Sequence, residues 1–267
     1  MENIFIFLAF CFGTIIGSFL NVVVWRLPRG EALTGRSHCP HCGGILGVLD
    51  LFPVFSFIFL RGRCRRCKAK ISRRYLILEI VTGLLFASAV YFLQPADFVS
   101  GFELLKYFLV LSALVVVFMV DLEHFLILDQ VVFPVAAAMF LLNLLLDLFG
   151  HVKILSFYSS TVSGILGAAA LFGFFFLVWL LSKGKWIGFG DVKLAVFLGL
   201  SLGWPFVLVG LMLAVLSGGI VSVFLLAFFQ KTLKSQIPFG TFLAFGTVLA
   251  LFYGDKLIGW YLAILGF

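Results

Sequence analysis

Long apolar stretches, separated by short polar ones, run through nearly the whole chain. Crossing the hydrocarbon layer of a bilayer takes roughly 20 residues of helix. Stretches near that length fall at 4–25, 76–94, 103–120, 130–149, 157–182, 191–204, 205–229 and 238–266. The pattern predicts an all-α polytopic membrane protein with about eight transmembrane helices. Only Gly203-Trp204-Pro205 parts the sixth stretch from the seventh, and Gly254-Asp255-Lys256 interrupts the eighth. One polar segment is long. It divides the chain into a first transmembrane helix (1–25), a loop domain (26–75) and a larger transmembrane domain (76–267). Arg26 and Arg29 follow the first stretch and no basic run precedes it, so it reads as a retained anchor rather than a cleaved signal.

Composition removes the alternatives. The chain is 63% hydrophobic and 12% charged, which excludes a soluble globular domain. Lys and Arg set the orientation. Eleven of the nineteen lie between Arg26 and Arg74, and an eight-span topology puts Lys183, Lys185, Lys193, Lys231 and Lys234 on the same side. Lys106, Lys153 and Lys256 remain on the other. The loop domain is therefore expected at the cytoplasmic face, with both termini outside. The net charge of +7 fits anionic headgroups of the lipid bilayer. No aromatic–basic interleaving suggests nucleic acid as a partner.

The basic loop carries Cys39-Pro-His-Cys42 and Cys64-Arg-Arg-Cys67, separated by 21 residues. Each Cys-x-x-Cys presents two thiolates from one tight knuckle, and two knuckles complete a tetrahedral sulfur site of the kind zinc prefers. Two disulfides are the alternative, disfavoured in a reducing compartment. A loop of some fifty residues also needs a staple to fold. Cys39, Cys42, Cys64 and Cys67 are thus read as ligands of a structural zinc, with His38 and His41 as bystanders and Cys11 as a small buried hydrophobe.

Carboxylates at membrane edges are costly to keep and point to function. Asp121 ends one apolar run, and Asp191 opens another within Gly188-Phe189-Gly190-Asp191. The charge rule sets both at the cytoplasmic edge. Two converging carboxylates, one protonated and one ionised, can activate water and polarise a peptide carbonyl. Gly188 and Gly190 would allow φ > 0 and close approach to an extended substrate. Other readings stand beside this one. Asp191 serves as a helix N-cap, Asp129 caps the fourth helix or pairs with Asp191, or the aspartates relay protons in a transporter. Glu79 either snorkels to Arg73 and Arg74 or belongs to a site. Pro238-Phe239-Gly240 either begins the last helix or breaks it beside a site.

Taken in order, these segments resemble the type IV prepilin peptidase family over nearly the whole chain. Gly17-Ser-Phe-Leu-Asn-Val-Val-Val-Trp-Arg-Leu-Pro28 is similar to that family's opening segment. The two cysteine knuckles with Ile71-Ser-Arg-Arg-Tyr75 resemble its cytoplasmic loop. Asp121-Leu-Glu-His124 and Gly188-Phe-Gly-Asp-Val-Lys-Leu194 resemble its two aspartate motifs, and Ile237-Pro-Phe-Gly240 its late motif. The resemblance implies a bifunctional enzyme of the bacterial cytoplasmic (inner) membrane. Its aspartyl peptidase, with Asp121 and Asp191 as catalytic residues, cuts a short basic leader from prepilins or type II secretion pseudopilins. The new N-terminal residue, commonly Phe, is then N-methylated with S-adenosylmethionine. Glu79 becomes a candidate for the methyltransferase or substrate site. Leu128, Glu123, Asp50 and Leu76 depart from the usual pattern, the last two in the half linked to methylation.

Overall fold

The computed structural model describes residues 2–150, 152, 156, 159–228 and 237–264. Lys153, Lys231 and Lys234 of the charge count lie outside the described residues, as do the predicted stretch ends at 157, 229, 265 and 266. Among the described residues the longer elements are α1 (Glu2–Arg26), a short α2 (Phe55–Phe59), α3 (Arg73–Leu93), α4 (Phe98–His124), α5 (Asp129–Phe149), α6 (Ser160–Ser182), α7 (Phe189–Leu202), α8 (Phe206–Phe228) and α9 (Phe239–Ile264). Each predicted apolar stretch is a helix. Seven are long and apolar enough to cross a membrane. The Gly254-Asp255-Lys256 interruption does not end α9; Gly254 is instead a close-packing point against Phe206.

Local chemistry explains the helix ends. The Ser72 hydroxyl accepts from the Arg74 N–H at the start of α3, and Ser159 accepts from Val162 at the start of α6. Asp97 and Ser100 form a reciprocal capping box on α4. Residues in the left-handed region close α3, α4 and α6, at Gln94, Phe125 and Lys183.

The chain forms two compact units, divided between Ala96 and Asp97. In the first, α1 and α3 touch almost backbone to backbone. A Cβ on Gly13 would fall 2.8 Å from the Gly83 Cα, and one on Gly17 would fall 2.9 Å from the Glu79 Cα. Gly13 and Gly17 are a small-x-x-x-small pair, the spacing that lets two helices approach in lipid, where packing rather than the hydrophobic effect drives association. The sequence carried this signal in plain view, although the apolar periodicity alone did not draw attention to it.

In the second unit α7 is the centre. Its 14 residues extend only about 21 Å, short of a membrane's hydrocarbon thickness. Val192, Leu194, Ala195, Phe197, Leu198 and Ser201 are all buried. It runs antiparallel to α6: Phe189 meets the Trp179 ring at 5.1 Å, and beyond the other end Ser163 exchanges two hydrogen bonds with the backbone of Trp204. Gly167 and Gly199 bring α6 and α7 into close contact, as Gly210 and Gly246 do for α8 and α9. Polar groups at the end away from Asp191 are tied across helices. Lys106 Nζ donates to Asn143 Oδ1 (2.7 Å), and Asn143 Nδ2 donates to the Leu200 carbonyl (2.9 Å). The Asp147 carboxylate accepts the Ser160 and Thr161 N–H groups that open α6.

Gly13→Val is expected to destabilise the first unit by about 1–3 kcal/mol through overpacking, read as a lower unfolding midpoint of the detergent-purified protein. Gly101→Ala, where an added methyl meets no atom within 4 Å, should leave the midpoint unchanged or slightly raised. Equal midpoints for Gly13→Val and wild type would contradict the close α1–α3 contact.

Candidate functional site

Asp121 sits in the last turn of α4 and is 5% exposed. Its Oδ2 accepts the Thr241 backbone N–H at 2.7 Å and the Thr241 hydroxyl at 3.2 Å. Thr241 is the third residue of α9, so Asp121 is seated on a helix N-terminus, where unpaired N–H groups and the helix dipole favour an anion. Gly240 makes this possible, because a Cβ there would lie 2.9 Å from Asp121 Oδ2.

Asp191 lies in the first turn of α7, three residues after Gly188, which is the N-cap. The plain cap reading of Asp191 is therefore replaced: its carboxylate reaches back toward Gly188 from the third position. Asp121 lies close enough to act directly on the charge of Asp191. The two carboxylates converge from separate helices at one end of the second unit. Ile127, in the α4–α5 connection, fills the space between the two glycine motifs. A Cβ on Gly190 would fall 3.0 Å from its Cγ1, and one on Gly240 would fall 2.8 Å from its Cδ1.

Several expectations are corrected here. Gly188 has φ −74° and ψ 149°, ordinary extended backbone, and Gly190 is helical and outside the positive-φ positions. Their role is close approach rather than left-handed backbone. Asp129 is not the cap of α5, which is Leu128; it is the first residue of the helix. Its carboxylate instead receives Lys193 Nζ on both oxygens, at 2.7 and 3.0 Å. That ion pair occupies Asp129, and Asp121 is the carboxylate that faces Asp191. Pro238 precedes α9, while Gly240 and Thr241 line the site, so the late motif both begins a helix and contacts Asp121. Thr241 itself carried no signal in the sequence, since its contact with Asp121 depends on a distant helix.

The cysteine loop, in the first unit, repeats one piece of backbone twice. In the first knuckle Cys39 N–H donates to the Gly44 carbonyl and Gly43 N–H to the Cys39 carbonyl. In the second, Cys64 donates to Ala69 and Lys68 to Cys64. Gly43 and Lys68 both adopt positive φ, 65° and 59°. All four cysteines are free thiols, so the disulfide alternative does not apply. Their sulfurs lie within 4.8 Å of one another, with Cys39 and Cys67 at 3.9 Å. A tetrahedral site with metal–sulfur bonds of about 2.3 Å needs sulfurs about 3.8 Å apart, so the cluster fits a metal ion. Backbone N–H groups of Cys67 and Arg66 hold the Cys64 thiol down at about 7, while, against the Ala69 N–H, burial and the neighbouring thiols push the Cys67 thiol up to about 11, so of this pair Cys64 is the readier thiolate. His38 and His41 are not part of the four-sulfur group.

Two further charged groups shape the loop. Arg26, 8% exposed, donates from its guanidinium to the carbonyls of Ala32, Leu33, Thr34 and Arg36, folding the chain back as it leaves α1. Asp50 pairs with Arg65 at 2.6 Å, and that contact holds its carboxyl below the usual range. Glu79, in the second turn of α3, is buried and accepts the Val54 N–H at 2.8 Å.

Residues 11–93 match the Bacterial Peptidase A24 N-terminal domain, and residues 108–251 match the Type IV leader peptidase family. Among curated relatives, the prepilin leader peptidase/N-methyltransferase of Aeromonas hydrophila is 33% identical, over 96% of this chain and 93% of its own length. Proteins of the same name from Bacillus subtilis (strain 168) and Pseudomonas aeruginosa are each 30% identical, over 95% and 98% of this chain and 96% and 95% of theirs. No solved structure matches.

Purified protein is expected to carry about one tetrahedrally bound metal ion per chain by elemental analysis, with Cys39→Ser and Cys64→Ser each sharply lowering it. Unchanged metal content in both variants would rule out a shared four-sulfur centre.

Proposed function

The chain belongs to the type IV leader peptidase family, and from that premise we propose that it cleaves the leaders of type IV prepilins or type II secretion pseudopilins at the cytoplasmic edge of the inner membrane, with Asp121 and Asp191 as the catalytic pair. The observation that carries this reading is the convergence of the two carboxylates, from α4 and α7, at one end of the second unit. The two donors from Thr241 suit Asp121 to begin as the ionised member. It would take a proton from the attacking water while protonated Asp191 donates a hydrogen bond to the scissile carbonyl. The proton on Asp121 then passes to the departing amine.

The location fits the substrate. A prepilin has a basic leader in the cytoplasm and an apolar helix in the membrane, and a site at the inner edge meets their junction without drawing charge into lipid. The basic cysteine loop would not attract that leader, and its proposed role is architectural. Four thiolates around zinc leave no open position for substrate, so the metal would serve as a staple for the loop.

The relatives' name also includes an N-methyltransferase. We extend that activity to this chain, with S-adenosylmethionine supplying an electrophilic methyl group when bound. A cavity of about 350 Å³ in the first unit is large enough for a small polar ligand.

The test is co-expression with a prepilin, followed by its shortening on a gel. Asp121→Asn and Asp191→Asn should each slow cleavage by about 10²–10⁴-fold. Normal processing by either variant would overturn the pair. Thr241→Val removes one of the two Thr241 donors to Asp121 and should cost about tenfold, mainly in kcat, with Thr241→Ser restoring most of it. A Thr241→Ser variant as slow as Thr241→Val would argue for a packing role instead.

A further inference from the structure

The 350 Å³ cavity lies wholly in the first unit. One wall is a single face of α1, with Ser18, Asn21, Val22 and Trp25 at helical spacing, and the adjoining wall is the Tyr75 and Glu79 face of α3. The cysteine loop closes the other side through residues including His38, Asp50 and Phe57. Most of the lining is apolar, and two buried hydrogen-bond acceptors stand out against it.

Asn21 is 2% exposed. Its Nδ2 donates to the Tyr75 carbonyl at 3.1 Å, which fixes the amide, and its Oδ1 has no partner. A buried amide oxygen without a donor is costly, and native structures rarely tolerate one that nothing fills. Glu79 is its neighbour in the lining. Its carboxylate accepts from the Val54 N–H and from the Ser18 hydroxyl, and with about four acceptor positions it can take further donors. Val54 is held at φ 62° and ψ −55°, a conformation that a β-branched residue avoids and that tends to persist where the surroundings impose it at a functional site. The nearby cations have other work. Arg26 is spent on four carbonyls, Arg65 is paired with Asp50, and Lys70 is exposed in the lining.

Beside the paired and exposed charges of the lining, two buried acceptors, one anionic, suit a ligand that brings several N–H donors and a positive charge. We propose that this cavity is the primary-amine site of the methylation reaction, in which Asn21 Oδ1 and Glu79 accept the α-ammonium of the cleaved pilin while the apolar wall takes its first side chain. The assignment rests on the transferase reading above. An ammonium has no lone pair with which to attack a methyl group, so a proton must leave first. It passes from the nitrogen to the Glu79 carboxylate, giving a neutral amine with a free pair and a neutral carboxylic acid. Asn21 keeps the remaining N–H groups oriented. The metal centre contributes indirectly, because the loop it staples forms the opposite wall.

Binding can be measured without turnover. Full-length protein in detergent is titrated with a peptide that begins with Phe, carries a fluorophore at its C-terminus and has either a free or an acetylated α-amino group. Wild type should bind the free amine at least about tenfold more tightly, the scale of a hydrogen bond to a charged group. Glu79→Gln and Asn21→Leu should each bring the two affinities close together, with metal content and prepilin cleavage retained as evidence of folding. Methylation of cleaved pilin should fall in parallel. Equal affinity for both peptides in wild type, or full discrimination retained by Glu79→Gln, overturns the amine site and leaves the peptidase reading intact. If wild type does not cut prepilin at all, the functional premise fails and the amine site fails with it.

Discussion

A helix buried at membrane depth has no water to satisfy its ends or its charges, so its neighbours must do so. In this protein that helix is α7. It is too short to cross hydrocarbon by itself and is enclosed by α5, α6, α8 and α9. Its first turn holds Asp191, and its last carbonyls find donors such as Asn143. The close glycine contacts along α6 and α7 belong to the same constraint, since a carboxylate at the edge of lipid can be held still only by a helix that is itself held. Lys193 on α7 answers Asp129 on α5 for a related reason: charges are placed where an opposite charge can meet them.

The first unit solves a different problem. Its loop leaves large apolar side chains such as Val48, Leu49 and Phe59 exposed, and its shape comes from four thiols, the Arg26 guanidinium and the Asp50–Arg65 pair. The helices beneath it approach through Gly13 and Gly17, and beside that contact the buried Asn21 and Glu79 line the floor of a cavity. Close packing and an open cavity therefore follow from the same stretch of α1.

Much of this was legible in the residues themselves. Apolar run lengths located every long helix, and the Cys-x-x-Cys pairs announced the four-sulfur group. Asp121 and Asp191 were conspicuous because charges are rare in such a chain. What could not be read were contacts between residues far apart in sequence. Thr241 looks like an ordinary helix-start threonine until α9 is set beside α4, and Asp129 looks like a cap until Lys193 is found 64 residues away. The apolar run at 191–204 already matched α7 in length, but hydropathy could not show that this short helix is sheathed in protein. Gly188 and Gly190 drew the right attention for an incomplete reason: the space they leave is filled by Ile127, a residue with no special appearance in the sequence.

The 120-residue separation between Asp121 and Thr241 also sets an order of assembly. During synthesis α4 and α7 enter the membrane before α9 exists, so both carboxylates are present while the donors that seat Asp121 are still absent. A chain made only as far as α7 thus carries both acidic residues without the donors that seat Asp121, which α9 supplies.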